Sequence, residues 1–344
     1  MNKAVIFISF TNSQNQSIQN CIDYFTSCGD STDFFLITNT DFLIDGIERS
    51  NTLLIKKIQN FNDMIAQVFY RKNKKHLENF TSKWPFYKSM EVLVPHFQNI
   101  LSNHFLNYHI NKIKYDNITV SLYPDGMLSY QPYKPKTRLE LDSLLRWVGG
   151  GMVGMKYRTF DGPIADPFGY VKKIYSYIPS LTVPYSSKEI IKIYFRNEEL
   201  IGENILILGH YKQSKFGNTY LKNISEMIYG VTKLSDYDKV YFKPHPRLNS
   251  IGGDIFYKSI QEIENLDTEL CLDNRPVEKL IQSLGTTTII ASVSTSMINL
   301  KLKFKDQVSC YYFGLNKYVS SQYRSYYQKV FHKLSIKHLR ESCD

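Results

Sequence analysis

Short apolar runs alternate with amphipathic stretches near the start of the chain. Ala4 to Phe10 is continuously apolar, and Thr11-Asn12-Ser13, residue types that favour helix N-caps, separates it from the amphipathic segment Gln16 to Phe25. This pattern predicts a buried strand followed by a helix. Asp33 to Thr38 and Thr52 to Ile55 repeat the strand pattern, so we expect a parallel α/β sheet.

The next stretch, from Asn60 to about Leu106, has apolar residues at spacings of three and four. This periodicity predicts helices, divided at Pro85 and Pro95 because proline breaks a helix. The stretch includes the basic run Arg71-Lys72-Asn73-Lys74-Lys75-His76. That run is either a solvated helix face or a functional patch.

A strand rich in β-branched residues, Asn117 to Tyr123, leads into the turn Pro124-Asp125-Gly126. The turn places a carboxylate at the carboxyl end of a strand. Further on, Gly149 to Gly154 matches the dinucleotide pattern G-x-G-x-x-G, but the preceding Leu139 to Val148 is helical in pattern. Because that motif must follow a strand, we reject a cofactor site and expect a mobile loop.

Prolines and tyrosines concentrate between Pro163 and Ser187, which predicts an interdomain connection there. After it, a helical pattern covers Thr219 to Thr232, and strand patterns recur at Glu203 to Leu208, Lys239 to Lys243, Glu269 to Leu272 and Thr286 to Ala291. The chain is therefore expected to contain two Rossmann-like α/β domains, the GT-B architecture, with the active site in the cleft between them.

Composition narrows the function classes. The net charge of +10 and the pI near 9.1 favour a polyanionic partner, but no signature of a nucleic-acid-binding motif accompanies them. An anionic membrane surface or an acidic small molecule is the better expectation. The apolar runs are too short to span a bilayer and no signal peptide opens the chain, so we expect a cytoplasmic protein. Five scattered cysteines are expected to be free thiols.

Polar residues cluster after the strands of the second half. Asp238 to Arg247 is a short strand that stops at Pro244-His245-Pro246, and Gly209-His210 follows an earlier strand. Pro276-Val277-Glu278 starts a predicted helix, and Ser294-Thr295-Ser296 precedes another. Hydroxyls and backbone N–H groups at a helix N-terminus bind phosphate, which His245 is also placed to protonate. Taken singly, each feature is also compatible with an ordinary turn, a packed imidazole or an N-cap.

Taken together, these features resemble the bacterial sialyltransferases, including the lipooligosaccharide and capsule polysialyltransferase families. Those families have an acidic-acidic-Gly motif, a His-Pro motif and a paired-serine motif in that order. Asp125-Gly126, His245-Pro246 and Ser294-Thr295-Ser296 occupy the corresponding places, and Pro276-Val277-Glu278 is similar to the family's ribose-binding Pro-x-Glu. The resemblance departs at Pro124, which replaces the first acidic residue, and at Thr295, which interrupts the serine pair.

The resemblance implies an inverting transfer of sialic acid from CMP-sialic acid to a hydroxyl of a bacterial surface glycan: an O-antigen, lipooligosaccharide or capsule. Asp125 would be the general base and His245 would stabilise the departing phosphate. The donor site would comprise Gly209, Lys243, Pro244, His245, Pro276, Glu278, Ser294, Thr295 and Ser296. Residues 1–178 would form the acceptor-binding domain and residues 190–316 the donor-binding domain.

No cofactor or metal is expected, since the implied donor carries one phosphate rather than a diphosphate and therefore has less need of a metal clamp. The segment 317–344 mixes cations with aromatic residues, so it is either an interface helix on an anionic leaflet, where lipid-linked acceptors are found, or a helix that packs onto the protein. The protein would then act peripherally on the inner face of the cytoplasmic membrane. Two alternatives remain: a transferase for another CMP-nonulosonic acid such as CMP-Kdo, and a catalytically silent GT-B-like protein that binds polysaccharide or membrane.

Overall fold

The chain folds into two compact units, Met1–Tyr194 and Phe195–Asp344. The computed structural model describes residues 3–29, 31–55, 64–97, 100–109, 117–130, 137–152, 154–157, 171–182, 189–196, 198–210, 237, 239–245, 268–273 and 275–339. Each unit is built on a parallel sheet with helices, as the sequence pattern predicts.

The first unit contains a seven-stranded parallel sheet in the order β3-β2-β1-β4-β5-β6-β7. Its strands are β1 Lys3–Ser9, β2 Thr32–Thr38, β3 Thr52–Leu54, β4 Ser89–Val94, β5 Ile118–Leu122, β6 Val171–Ser176 and β7 Glu189–Lys192. The helices are α1 Asn15–Ser27, α2 Met64–Thr81, α3 Ile100–His104 and α4 Thr137–Met152, with a π-helical turn at Phe105–His109. The central strands β1 and β4 are almost fully buried, as the continuous apolar run of β1 predicts for a parallel sheet.

Strand β4 corrects the expectation of helix from Asn60 to Leu106. Ser89–Val94 pairs with β1 on one side and β5 on the other, in the centre of the sheet. Periodicity alone does not separate a short buried strand from a buried helical segment. Glu91 also obscures the apolar run, but it is buried and paired in the sheet: its Oε1 accepts hydrogen bonds from the hydroxyls of Ser121 (2.6 Å) and Tyr175 (2.8 Å).

Two further predictions are wrong. The expected connection between Pro163 and Ser187 contains β6, which is part of the first sheet, and β7 extends that sheet almost to Tyr194. The expected mobile loop at Gly149 to Gly154 is instead the end of α4. There, Gly154 has φ +74°, and the N–H groups of Gly154 and Met155 donate to the carbonyls of Gly151 and Gly150 in a Schellman motif.

The second unit contains a six-stranded parallel sheet in the order β10-β9-β8-β11-β12-β13. Its strands are β8 Asn204–Leu208, β9 Val240–Lys243, β10 Thr268–Leu270, β11 Thr286–Ala291, β12 Ser309–Tyr312 and β13 Lys337–His338. The helices are α5 Val277–Ser283, α6 Thr295–Phe304, α7 Leu315–Tyr318 and α8 Ser321–Lys333. The predicted helix at Thr219 to Thr232 lies outside the described residues.

Helix α8 lies in the segment with two proposed roles, membrane contact or packing. Val330 and Phe331 are buried, and the Phe331 ring packs on Tyr312 of β12 at a centroid distance of 4.8 Å. Arg324 donates hydrogen bonds to the backbone carbonyls of Val319 and Asn316. These contacts favour the packing role for α8. In the part of the chain that the structure describes, no helix is both long and apolar enough to cross a bilayer.

Candidate active site

Three neighbouring strands of the first sheet carry polar residues just beyond their carboxyl ends. Gln14 follows β1, His96 follows β4 and Asp125 follows β5. The chain progresses outward from β1 to β3 on one side and from β4 to β7 on the other, so the topological switch point lies between β1 and β4. Parallel α/β sheets bind ligands outside their carboxyl edge at such a point.

Asp125 is the carboxylate that follows β5, and its side chain is 18% exposed. The Gly126 backbone has φ +58°, a conformation that glycine adopts without strain and that starts the 3₁₀ turn Gly126–Tyr130. Within this turn, the Asp125 N–H donates to Ser129 Oγ at 3.0 Å. The carboxylate Oδ1 accepts a hydrogen bond from Gln14 Nε2 at 3.2 Å. Asp125 is therefore held in place yet still reaches solvent, as a general base requires.

Gln14 is almost fully buried and connects Asp125 to the end of β1. Its Oε1 accepts from the backbone N–H groups of Phe10 (2.8 Å) and Thr11 (3.3 Å). The Ser9 hydroxyl donates to the same oxygen at 3.2 Å, and the Tyr123 hydroxyl, which donates to the Ile8 carbonyl at 2.9 Å, lies 3.4 Å from it. These bonds fix the amide so that its N–H group faces the Asp125 carboxylate. The sequence analysis did not identify Gln14.

His96 is the second residue that the sequence analysis missed. Its Nε2 lies 4.0 Å from Asp125 Oδ2, and its ring packs against Phe10 at a centroid distance of 5.8 Å. Burial lowers the pKa of His96 from its usual value of about 6.5; Asp125 opposes this shift and Arg146 of α4 adds to it. The imidazole is therefore neutral at neutral pH. The same surroundings raise the pKa of the Tyr123 hydroxyl, chiefly through burial and also through Asp125.

In the second unit, Gly209 follows β8, His245 follows β9 and Ser294 follows β11. Chain order reverses between β8 and β11, so this sheet also has its switch point at the strand that carries Gly209. His245 and Ser294 follow β9 and β11, the two strands that flank β8. These two strands are two inter-strand spacings apart, about 10 Å. This sheet edge therefore assembles most of the donor residues expected from the sequence.

Gly209 is required by the close approach of two strand ends. A Cβ at this position would lie 3.1 Å from the His245 N and 3.2 Å from the Pro244 Cα, which is tighter than ordinary van der Waals contact. The Gly209 N–H also donates to the Lys243 carbonyl at 2.9 Å. Glycine thus allows the backbone of β8 to pack directly against the turn that carries the partly buried His245. Pro246 and Arg247 lie outside the described residues.

Lys243, at the end of β9, is buried rather than directed to solvent. Its Nζ donates a hydrogen bond to the backbone carbonyl of Asp273. Burial lowers the pKa of Lys243, with smaller opposing effects from Cys271 and Asp273. The ammonium is therefore already hydrogen-bonded to the loop after β10. Lys243 holds this loop against the end of β9 and also places a positive charge at this edge of the sheet.

The predicted phosphate-binding residues lie at the start of α6. Ser294 is the N-cap, and its Oγ accepts a hydrogen bond from the Ser296 N–H at 3.2 Å. Ser294, Thr295 and Ser296 are all partly exposed. Just before them, Ser292 is buried and its Oγ has no hydrogen-bond partner among the described residues. The first N–H groups of a helix attract anions, so hydroxyls and backbone donors converge at this terminus.

Glu278, in the first turn of α5, lies beside α6. It is buried, and its Oε1 accepts a hydrogen bond from Asn299 Nδ2 at 2.7 Å. Burial raises the pKa of the Glu278 carboxyl, although the bond from Asn299 and the charge of Lys303 act in the opposite direction. Pro276 precedes the helix and is exposed. Glu278 is thus tied to the helix that carries the serine run.

No group of three or more His, Cys, Asp or Glu side chains within the described ranges is close enough to hold a metal ion. Ionisable side chains that do interact with Asp125 include the His96 imidazole and the Tyr123 phenol.

Comparison with solved structures identifies the fold. The chain is similar to a UDP-GlcNAc 2-epimerase from Methanocaldococcus jannaschii, with a TM-score of 0.53, 11% identity and coverage of 96% of this chain and 92% of that one. It is also similar to a sialyltransferase from Photobacterium damsela, with a TM-score of 0.51, 12% identity and coverage of 98% and 81%. No family model and no curated protein matches the sequence. The likenesses confirm the predicted two-domain α/β fold of the GT-B type.

Proposed function

We propose that the protein is a glycosyltransferase that transfers sialic acid from CMP-sialic acid to a hydroxyl of a bacterial surface glycan, with inversion and without a metal ion. The observation that carries the proposal is the placement of the motif residues. Asp125 lies at the carboxyl edge of the first sheet, while His245 and the Ser294 to Ser296 run lie at the carboxyl edge of the second. These are the sheet edges at which α/β proteins bind ligands.

In the proposed reaction, the acceptor oxygen attacks the anomeric carbon of sialic acid and the bond to the CMP phosphate oxygen breaks. Asp125 removes the acceptor proton as general base, and Gln14 Nε2 orients its carboxylate. The first unit thus supplies the base. Neutral His96 borders the same carboxylate without competing as a cation.

The second unit binds the donor in this proposal. His245 protonates or stabilises the departing phosphate, which the hydroxyls and N–H groups at the start of α6 hold. Gly209 lets the backbone approach the nucleotide, and Pro244 and Lys243 hold His245 in position. Glu278 binds the ribose through the carboxylate oxygen that Asn299 does not use, and Pro276 fixes the start of its helix.

The acceptor in this proposal is a lipid-linked O-antigen, lipooligosaccharide or capsule precursor, and the protein acts peripherally at the inner face of the cytoplasmic membrane. The net charge of +10 supports a partnership with anionic surfaces and substrates. The resemblance of the motifs to those of the bacterial sialyltransferases supports CMP-sialic acid as donor. CMP-Kdo carries the same anomeric carboxylate and phosphate as CMP-sialic acid, so it belongs in the same test.

A donor and acceptor screen with purified protein tests the proposal. CMP-sialic acid, CMP-Kdo and UDP-GlcNAc are each incubated with oligosaccharide acceptors, and products are read by mass spectrometry. We expect a mass increase of one or more sialic acid residues with the first donor alone. Asp125→Asn should abolish it, while Asp41→Asn, a change at an exposed carboxylate outside the site, should not. Turnover of UDP-GlcNAc alone, or of no donor, would contradict the proposal.

A further inference from the structure

Helix α4 carries an apolar face that is exposed in the part of the chain that the structure describes. Its residues Leu141, Leu144, Leu145, Val148 and Met152 are each between 48% and 64% exposed. Their spacings of three, four, seven and eleven residues from Leu141 place them within one stripe of an α-helix, and Trp147, 54% exposed, flanks that stripe. We call these six residues the α4 stripe. Exposed apolar groups of this density mark contact surfaces.

The opposite side of α4 faces its own unit. Gly150 is buried and Arg146 is half-buried. Burial is the main cause of the lowered pKa of His96, and Arg146 is close enough to lower it further. At the end of the helix, Met155 enters the core, and the Lys156 N–H donates to His104 Nδ1 at 2.9 Å. The helix is thus anchored on one side, so the stripe is a fixed outer face rather than a misplaced core face.

Basic residues of α2 lie beside the end of α4. The Nζ of Lys74 is 3.4 Å from the position that a Cβ on Gly154 would occupy. Arg71 and Lys75, both exposed, lie three residues before and one after Lys74, on the same side of α2. An apolar helical face next to clustered cations is the combination that binds anionic bilayers.

We infer that α4 is an interfacial membrane helix, which lies along an anionic bilayer with the α4 stripe in the acyl boundary and the α2 cations at the headgroups. Trp147 at the stripe's edge suits the headgroup level, where indole rings concentrate. A second copy of the chain is a poorer occupant, because a symmetric contact would bring the two cationic clusters of α2 towards each other.

This inference gives the proposed function a route to its acceptor, and in that respect it rests on the proposed function. Helix α4 follows the turn that holds Asp125, and Arg146 acts on the His96 that borders that carboxylate. A bilayer contacted by α4 would therefore lie close to the carboxyl edge of the first sheet. The lipid-linked end of an acceptor glycan would be held near the proposed base.

Trp147 provides the test, since Trp84 is the only other tryptophan in the chain. The full-length protein carrying Trp84→Phe is mixed with vesicles of phosphatidylethanolamine and phosphatidylglycerol. We expect a blue shift of the emission and quenching by brominated acyl chains, neither of which occurs with phosphatidylcholine vesicles at the same salt concentration. Co-sedimentation of the wild-type protein with the same vesicles provides a measurement without the Trp84 substitution.

Matched variants assign the contact to the stripe. Leu145→Gln with Val148→Gln should weaken vesicle binding by about a hundredfold, since each buried apolar side chain contributes roughly tenfold. Leu43→Gln and Ile201→Gln, at residues that are more exposed but outside α4, should leave binding unchanged. Arg71→Gln with Lys75→Gln should reduce binding to the anionic vesicles and flatten its salt dependence.

Three results would overturn the inference: an unchanged Trp147 emission, a stripe-dependent dimer in solution, or stripe variants that lower the unfolding temperature in the absence of vesicles. The last two would assign the stripe to a second copy or to the protein's own interior. Release of CMP from soluble CMP-sialic acid is measured in parallel and should be unaffected by the stripe changes. Vesicle binding without CMP release would refute the proposed function alone, and CMP release without vesicle binding would refute the membrane helix alone.

Discussion

Replacing Gln14 tests whether the Asp125 carboxylate is held as the structure shows. In Gln14→Ala, the backbone N–H groups of Phe10 and Thr11 lose the acceptor that Gln14 Oε1 provides at 2.8 and 3.3 Å. Phe10 is buried whereas Thr11 is exposed, and a buried donor without a partner costs about 1–3 kcal/mol, so the variant should lose about that much stability. Asp125 also loses its donor at 3.2 Å, so turnover should fall at least about tenfold.

Gln14→Glu separates the two effects. The glutamate retains an oxygen for the backbone donors, but it places a second carboxylate near Asp125 Oδ1, where the amide N–H now lies at 3.2 Å. The repulsion between two such charges is about 5 kcal/mol at an effective dielectric constant of about 20, and about 1 kcal/mol in bulk water. Ionisation of both groups is therefore disfavoured, and the acid side of the pH–rate profile should move to higher pH.

The assays are urea unfolding of the full chain and initial rates of sialic acid transfer across pH. Gln19→Ala is the matched control, because Gln19 lies on α1, the helix whose N-cap is Gln14, and donates to an aspartate, Asp23, at 3.3 Å, but outside the site. It should cost no more than about 0.5 kcal/mol and leave turnover unchanged. Wild-type stability and turnover in Gln14→Ala would refute the role given to Gln14.

Three further changes probe other contacts. Gly209→Ala should weaken CMP binding at least about tenfold, because its Cβ would press on the His245 backbone, while Gly151→Ala, with open space around it, should not. Glu278→Gln should be more stable than the wild type above about pH 4.5, and the difference should grow towards neutral pH. The reason is that the pKa of Glu278 is raised in the folded state, so the contribution of the protonated carboxyl to wild-type stability is complete below pH 4.5 and is lost as the buried carboxyl ionises. Equal pH dependence of both unfolding curves would contradict this. Glu91→Ala should lower the free energy of unfolding by about 3–5 kcal/mol, since it leaves two buried hydroxyls and a lysine without their acceptor. A loss below about 1 kcal/mol would show that this network contributes little to stability.

The strands that sequence reasoning located share one property: a run of β-branched or apolar residues bounded by polar turns, as in β1, β8 and β11. Strand β4 lacks it because Glu91 interrupts the run, and that carboxylate is tolerated through partners on β1, β5 and β6, which are distant in sequence. The glycines at the end of α4 were misread because a helix end with a left-handed glycine is defined by backbone bonds rather than by composition.

The candidate site shows the same limit. His245 and Ser294 stand out in the sequence because proline and serine mark the ends of their strands. Gln14 and His96 do not, since their significance comes from the pairing of β1, β4 and β5, which brings their side chains to Asp125. A histidine after Pro95 at the end of β4 becomes a visible signal only once that strand is recognised.

The most direct test of the proposed function is release of CMP from CMP-sialic acid by purified protein with EDTA present, compared among the wild type, His245→Ala and Asp125→Ala. We predict slow release by the wild type, loss of release in His245→Ala, and loss of transfer to an acceptor in Asp125→Ala. No release and no binding of CMP by the wild-type protein would contradict the account.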